Sequence, residues 1–395
     1  MFPSQVVDRN RSPARTPPAV PAVALGIFAL MTSELLPVGL LSPIGSDLDV
    51  STGTAGLMLT VPGLVAAAAG PVVAVTAARV DRRVLLAALV GVMAVANLVC
   101  AVAPHYAVLL VARVAIGVGV GGFWAVAGGL AVRLVPAEDV PRATAIVLGG
   151  VSAASVAGVP AGTLIGELGG WRAAFAAVGV LGLVALAGLL ALVPPLPSRG
   201  PIAFSELPRL LRRNTGVRIG VLATFLLVTG HFTAYTFVRP ILDEVGGVDE
   251  TLIGALLMAY GVAGIVGNFV AGTRIAAHLR GTLMALCAGL AAATALLAVL
   301  RPGPAAASVL LIAWGLAYGG VSVSLQTWML KAAPTASEAA SSLLVAAFNL
   351  SIALGALIGG ATIDRTTTTG VLWAAGLLAL LAAAAVGASP KTRTN

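Results

Sequence analysis

The stretch GPVVAVTAARVDRR, residues 70–83, is matched without a gap by GNFVAGTRIAAHLR, residues 267–280. The two stretches start 197 positions apart, and the same offset holds elsewhere in the chain. It aligns Arg83 with Arg280, Gly158 with Gly355, Gly162 with Gly359, and Glu167 with Asp364. Because charged residues recur at corresponding segment ends, we interpret the chain as two copies of one unit.

The composition indicates what each copy consists of. Of the 395 residues, 59% are hydrophobic and 10% are charged, with a mean hydropathy of +1.03. Twelve apolar stretches of about 20 residues, each long enough to cross a bilayer as a helix, follow one another between Pro21 and Ala388. Strict alternation is absent, which argues against a closed barrel. The predicted fold class is all-α integral membrane, with twelve transmembrane helices in two pseudo-symmetric six-helix halves.

The longest polar interruption is PPLPSRGPIAFSELPRLLRRNTG, and its prolines argue against one rigid helix. We predict that its part around 204–213 is amphipathic and lies along the inner membrane surface. The predicted organisation is an amino-terminal cytoplasmic tail at 1–20, a first six-helix half at 21–193, a cytoplasmic linker at 194–216, a second half at 217–388 and a tail at 389–395.

The basic residues predict the orientation in the membrane. With the amino end inside, 18 of the 23 Lys and Arg residues fall in inner segments and four in outer ones. This bias predicts a plasma-membrane protein with both termini in the cytoplasm. It also accounts for the net charge of +8 through contact with lipid headgroups, without a nucleic-acid partner. Cys100 and Cys287 fall inside spans, so we expect buried thiols and no disulfide.

Ionisable residues inside apolar spans are costly and usually mark a pathway. Glu34, in TSELLPVGLL at 32–41, and Arg113 in the fourth span lie at similar depths of about 10–12 Å, so they can form a pair. Either Glu34 takes up a proton from outside and releases it inside, or the pair statically joins two spans. His231 lies 197 residues after Glu34, and is either a cavity residue that contacts ligand or relays protons, or a hydrogen-bonded packing residue.

Aromatic and polar side chains at helical spacing suggest a substrate site for a planar organic molecule. The alternative is that they pack helices together through hydrogen bonds. The tenth span contributes Trp314, Tyr318 and Gln326, together with Ser322; the seventh contributes His231 and Tyr235; the fourth contributes Phe123 and Trp124; and Asn349 completes the set.

Several motifs resemble those of a known family. These are RVDRRVLL at 79–86, ARVAIGVGVGGFW at 112–124, GVPAGTLIGELGGWRAAF at 158–175 and the glutamate in the first span. With them the chain resembles the twelve-helix drug:proton antiporters of the major facilitator superfamily, in particular the bacterial purine-ribonucleoside and sugar efflux branch.

The resemblance implies roles for particular residues. Asp81, Arg82 and Arg83 would brace the cytoplasmic ends of the spans, and Arg113 would take part in proton coupling. Gly158, Pro160 and Gly162 would form a segment that bends and seals between states. The chain departs from the pattern in its second half, where His278 replaces the equivalent of Asp81.

The leading hypothesis is proton-coupled export of a small nucleoside-, sugar- or drug-like molecule by alternating access. Proton symport and uniport remain alternatives, as does a membrane-embedded enzyme, which the three scattered histidines disfavour. There is no GxxxxGK[ST] loop for ATP use. We expect no cofactor, no metal and no enzymatic activity, and a monomer whose partners are substrate, protons and lipids.

Overall fold

The computed structural model describes residues 17–77, 79–127, 130–136, 139–197 and 206–389. Twelve helical segments in these residues are long and apolar enough to cross a membrane. They are α1 Ala19–Gly39, α2 Thr52–Gly70, α3 Arg82–Ala101, α4 Tyr106–Val126, α5 Arg142–Gly169, α6 Trp171–Leu192, α7 Thr215–Tyr235, α8 Glu250–Ile275, α9 Ala277–Leu300, α10 Pro304–Ala332, α11 Ala339–Arg365 and α12 Thr368–Gly387. No strand occurs in the described part of the chain, so the predicted all-α membrane fold is confirmed.

Four spans depart from regular α-helix, each beside a proline or a glycine. The second span divides at Gly56, between helices Thr52–Ala55 and Leu57–Thr76. The first span is α-helical over Ala19–Leu35 and continues as a 3-10 turn over Leu36–Gly39. The fifth contains a π-turn at Ala154–Gly158, just before Pro160. The tenth breaks between helices Pro304–Gly319 and Val321–Ala332. A proline has no N–H to donate, and such breaks are frequent at functional positions.

The internal repeat is visible in side-chain contacts. A Cβ at Gly158 would collide with Thr32, and one at Gly355 would meet the main chain of Thr229; both partners obey the 197-residue offset. These contacts place α5 against α1 and α11 against α7.

The charged residues of the repeat also make equivalent contacts in the two halves. Arg83 donates a hydrogen bond to the carbonyl of Leu190, and Arg280 donates one to the carbonyl of Gly387. Both partners are again 197 residues apart, which confirms two pseudo-symmetric six-helix halves.

Each half has its own apolar core, but the cores meet at one end of the bundle. Val38, Leu41, Ala55 and Leu59 of the first half belong to the core of the second half. We call this the opposite end, because the segment between α6 and α7 lies at the other end, which we call the linker end.

Part of that segment is described. A helix spans Glu206–Arg213, and Leu210 and Leu211 pack against the core of the second half. Asn214 then caps α7 by accepting a hydrogen bond from the N–H of Val217. Residues 1–16 of the predicted tail 1–20, residues 390–395 of the predicted tail 389–395, and linker residues 198–205, including Phe204, lie outside the described residues.

Candidate functional site

Arg113 lies in α4 and is completely buried. Its guanidinium donates three hydrogen bonds to main-chain carbonyls: Nη1 to Ser33 at 2.7 Å, Nη2 to Glu34 at 2.8 Å and Nε to Met58 at 2.7 Å. The prediction from membrane depth that Arg113 lies next to Glu34 is correct. The direct side-chain pair is not formed, however, since the arginine binds the main chain and Oε1 of Glu34 is buried without a hydrogen-bond partner.

The reason for this geometry lies three residues further along α1. In an unbroken helix the Ser33 carbonyl would accept the N–H of residue 37, but Pro37 has none. A buried carbonyl without a donor is costly, and Arg113 supplies the donor. The arginine therefore stabilises the kinked end of α1. The carboxyl group of Glu34, a residue that is only 4% exposed, is left unbonded to the arginine.

A third span contributes to the same region. Asn97 of α3 is fully buried and donates from Nδ2 to the Ser33 hydroxyl at 2.7 Å and to the Met93 carbonyl at 2.8 Å. Its Oδ1 atom has no hydrogen-bond partner. The residues around Glu34 thus form a polar group from α1, α3 and α4 within an apolar half.

The second polar region surrounds His231 in α7. The imidazole stacks on Tyr318 with ring centroids 3.3 Å apart and on Tyr235 with centroids 4.9 Å apart. Tyr235 in turn stacks on Tyr260 of α8, at 4.8 Å. Trp314 of α10 meets the imidazole edge-on at 5.8 Å. We call these five residues the aromatic cluster.

Hydrogen bonds define the protonation pattern of the cluster. The Trp314 indole Nε1–H donates to His231 Nδ1 at 3.1 Å, so Nδ1 carries no proton and the neutral ring carries its proton on Nε2. That nitrogen lies 3.5 Å from the Tyr260 hydroxyl. The Tyr318 hydroxyl oxygen is buried without a hydrogen-bond partner, so it is available to a polar group of a ligand.

The other predicted substrate residues lie outside the aromatic cluster. Phe123 is fully buried in the core of the first half, and Trp124 is half-buried against that core. Gln326 donates to the Ser341 hydroxyl at 2.8 Å, and Asn349 donates to the Val345 carbonyl of its own helix at 3.0 Å.

The stripe predicted along α10 is therefore only partly formed. Trp314 and Tyr318 face His231, but the helix breaks at Gly320, and Ser322 beyond the break is exposed. The expected spacing of four residues assumes an unbroken helix.

The residues predicted to brace the span ends, Asp81, Arg82 and Arg83, make hydrogen bonds with main-chain groups near those ends. Asp81 accepts a hydrogen bond from the N–H of Arg83 at the start of α3. Arg82 donates to the Ala77 carbonyl at 3.2 Å, and its N–H donates to the carbonyl of Leu196. With the bond from Arg83 to the end of α6, these contacts tie the linker-end termini of one half together.

The glycines of α5 permit close approach to α1. A Cβ at Gly158 would collide with Thr32, and one at Gly162 would collide with Leu36. Pro160 follows the π-turn and has no N–H, so α5 bends where it meets α1. The sealing role remains a prediction.

Three contributors were missed by the sequence reasoning. Tyr260 could have been found as an isolated tyrosine in an apolar span, and Asn97 as an isolated amide in α3. Arg239 is one of the four basic residues expected in outer segments; it is buried and contacts both halves. Among the described residues there is no group of three His, Cys, Asp or Glu that could hold a metal ion.

Comparison with known proteins identifies the family. A family model described as Major Facilitator Superfamily matches residues 23–341. The chain belongs to the major facilitator superfamily. It is thus a multi-pass membrane transporter and not an enzyme, and the resemblance inferred from its motifs is confirmed.

Named relatives match the chain over nearly its full length. The chain is 32% identical over 377 residues to the purine ribonucleoside efflux pump NepI of Escherichia coli, covering 95% of each chain. It is 37% identical over 366 residues to a Pseudomonas aeruginosa protein named transcription regulatory protein OpdE, covering 92% of this chain and 91% of that one.

Solved structures share the fold at low sequence identity. The nucleoside transporter NupG matches with a TM-score of 0.75 and 13% identity, covering 94% of this chain and 98% of that one. An inward-facing bacterial homologue of the lysosomal transporter Spinster matches with a TM-score of 0.71 and 16% identity, covering 93% and 95%.

Proposed function

We propose that this transporter exports a small organic molecule across the plasma membrane in exchange for protons, with both termini in the cytoplasm. The observation that carries the proposal is the Glu34 carboxyl group, which is buried and not bonded to Arg113. A carboxylate locked by an arginine fork would be held in one charge state, whereas an unlocked one can gain and lose a proton. Glu34 is therefore the proton carrier, and Arg113 holds the main chain beside it.

We propose the aromatic cluster as the substrate site. Its flat rings suit a planar heterocycle, and Tyr318 offers a hydroxyl group that needs a partner. The efflux pump from Escherichia coli is named for purine ribonucleosides, which have a planar base and polar ribose. A nucleoside-like molecule is thus the first substrate class to test, with sugars and planar drugs after it.

The decisive experiment replaces Glu34 by glutamine, which keeps the shape and removes the titration. Purified protein is reconstituted into vesicles with an imposed pH gradient, after a thermal-shift screen with nucleosides, sugars and planar antibiotics has given a ligand. We expect Glu34→Gln to bind the ligand but to lose uphill transport. If the variant still moves substrate uphill, Glu34 is not the proton carrier.

The direction of the gradient separates export from the alternatives. An antiporter accumulates substrate in vesicles when the interior is acidic, and a symporter does so when the exterior is acidic. A uniporter accumulates an uncharged substrate under neither condition.

A further inference from the structure

α8 and α10 form one wall of the aromatic cluster. A Cβ at Gly315 of α10 would collide with the carbonyl of Tyr260 of α8, so the two main chains are in direct contact. Trp314 precedes this glycine, and Tyr318 lies about one helical turn after Trp314. The rings of Tyr260, Trp314 and Tyr318 are therefore positioned by one close helix contact.

α7 supplies the other two rings from a different direction. A Cβ at Gly230 would lie 2.9 Å from the carbonyl oxygen of Ala375, so α7 is closely packed against α12. His231 and Tyr235 lie about one turn apart on α7 and contact the rings of α8 and α10. The two groups of helices thus meet here through aromatic side chains.

The imidazole of His231 is the middle layer of the cluster, and the residue is only 1% exposed. Tyr318 stacks on it at an interplanar angle of 7° and Tyr235 at an angle of 20°. One face of an imidazole accommodates one stacked ring, so the two tyrosines lie on opposite faces. The imidazole therefore fills a slot with the shape of a single flat ring.

Hydrogen-bonding groups lie at two edges of this slot. The Trp314 indole N–H donates to Nδ1 of His231 at 3.1 Å, and the Tyr260 hydroxyl lies 3.5 Å from Nε2. A buried indole N–H needs an acceptor, so any ring that replaces the imidazole must present an in-plane acceptor nitrogen to it. The Tyr260 hydroxyl can donate or accept, and it is compatible with either kind of atom.

The imidazole can leave the slot without a change in the main chain of α7, because side chains move between rotamers. The slot can open on the side of Tyr318. The first helix of α10 ends at Gly319, directly after this tyrosine. Tyr318 is also partly exposed, whereas the other four members of the aromatic cluster are buried.

We propose that the imidazole of His231 occupies the position of the substrate's ring, and that a neutral azole-containing heterocycle displaces it. The incoming ring stacks between Tyr235 and Tyr318, and one of its nitrogens accepts the Trp314 N–H. A purine nucleoside has the required ring, since its five-membered ring keeps a free acceptor nitrogen in addition to the nitrogen that bears the sugar. The inference rests on the proposed substrate site and narrows its ligands from flat molecules to azoles.

The test uses two bicyclic ligands of nearly equal size. Benzimidazole has an acceptor ring nitrogen and a ring N–H, whereas indole has only the N–H. Their affinities for the purified full-length protein in detergent are measured by isothermal titration calorimetry at about pH 8, where imidazole-type rings are neutral.

His231→Ala removes the competing imidazole. It should tighten benzimidazole binding about tenfold, because a ligand loses affinity in proportion to the fraction of protein in which its site is occupied. Indole leaves the Trp314 N–H unpaired, so it should bind His231→Ala about tenfold more weakly than benzimidazole does.

Two tryptophan variants, each combined with His231→Ala, test the acceptor nitrogen. Trp314→Phe removes the donor from the slot and should abolish the preference for benzimidazole over indole. The matched control is Trp328→Phe, which removes an indole N–H that donates to the Gly216 carbonyl outside the aromatic cluster. The preference should survive in that protein.

The contrary outcomes separate this inference from the proposed substrate site. Weaker or unchanged benzimidazole binding in His231→Ala would show that the imidazole is not a competitor, and equal affinities for benzimidazole and indole would show that the Trp314 N–H does not select the ring. If neither ligand binds His231→Ala, the slot does not accept an azole. The substrate site itself is judged separately, by whether Tyr318→Ala weakens binding of the ligand found in the thermal-shift screen.

A measurement on the unsubstituted protein decides the question if His231→Ala does not fold. Nitrogen-15 NMR of histidine-labelled protein is recorded with saturating benzimidazole. Displacement breaks the bond from Trp314, so the signature of a His231 ring protonated only on Nε2 should be lost and the two tautomers should mix. A signature that persists while benzimidazole binds contradicts the displacement, and so does a failure of benzimidazole to bind.

Discussion

The indole N–H of Trp314 donates a hydrogen bond to Nδ1 of His231 across 3.1 Å, from α10 to α7. Because an indole nitrogen only donates, this bond selects one neutral tautomer of the imidazole, with its proton on Nε2. The tautomer in turn makes Nε2, which lies 3.5 Å from the Tyr260 hydroxyl, a donor and not an acceptor.

The first prediction concerns that tautomer. The chain has three histidines, so nitrogen-15 NMR of histidine-labelled protein can assign His231 by substitution. We expect the signature of a neutral ring protonated on Nε2. Trp314→Phe keeps an aromatic ring and removes the donor, so the two tautomers should become mixed. An Nδ1-protonated ring in the unsubstituted protein would contradict the observed bond.

The second prediction compares equivalent glycines. Gly158→Ala pushes against the Thr32 side chain, whereas Gly355→Ala pushes against main-chain atoms, 2.7 Å from the Thr229 carbonyl oxygen and 3.0 Å from the Thr233 nitrogen. Overpacking of this kind costs about 1–3 kcal/mol. Since a main chain yields less than a side chain, Gly355→Ala should lower the melting temperature in detergent at least as much as Gly158→Ala.

The control for the glycine pair is Gly149→Ala. A Cβ at Gly149 has no neighbour within 4 Å, and the residue lies in the helical part of α5 before the π-turn. Its melting temperature should equal that of the unsubstituted protein or exceed it slightly, because alanine favours helix. An equal loss in all three variants would mean that close packing is not the cause.

The third prediction concerns pH and the Asp47–Arg172 pair. Hydrogen bonds from Arg172 and from the Trp171 indole hold the pKa of the Asp47 carboxyl below its usual range. A lowered pKa in the folded state stabilises the protein above the unfolded pKa of about 3.9, and this contribution is lost as the pH falls through the folded value.

Asp47→Asn should therefore melt at a lower temperature than the unsubstituted protein at pH 7, and the difference should shrink in strongly acidic buffer. Asp49→Asn, in the same connection, is the control, because Asp49 forms no ion pair with the described residues. If the difference in melting temperature between Asp47→Asn and the unsubstituted protein grew on acidification, the predicted direction of the pH dependence would be wrong.

Much of the architecture was predictable because it depends on composition and repetition. The lengths of the apolar stretches predicted the twelve spans. The 197-residue offset aligned Arg83 with Arg280, and the structure shows that these two arginines bind equivalent carbonyls, those of Leu190 and Gly387. The rise per residue of an α-helix was enough to predict that Arg113 and Glu34 lie at the same depth.

The hydrogen-bond partners were not predictable, because they depend on local breaks in the helices. Pro37 frees a carbonyl that Arg113 then binds, and this redirects the arginine from the Glu34 side chain to its main chain. The break at Gly320 likewise separates Ser322 from the stripe that contains Tyr318. Periodicity assumes continuous helices and fails where they break.

The last prediction tests the link between Arg113 and Pro37. Arg113 supplies the Ser33 carbonyl with the donor that Pro37 lacks, and Pro37→Ala restores a main-chain N–H for that carbonyl. In the Pro37→Ala protein, Arg113 should therefore contribute less to the stability of the end of α1. Arg113→Gln in the native chain leaves buried carbonyls without donors, which costs about 1–3 kcal/mol each. The same change in a Pro37→Ala background should cost less. Melting temperatures of the four proteins in detergent give the double-mutant cycle, and a coupling of about 1 kcal/mol is expected. Strictly additive losses would mean that Arg113 does not compensate for Pro37, and that its carbonyl bonds are incidental to its place beside Glu34.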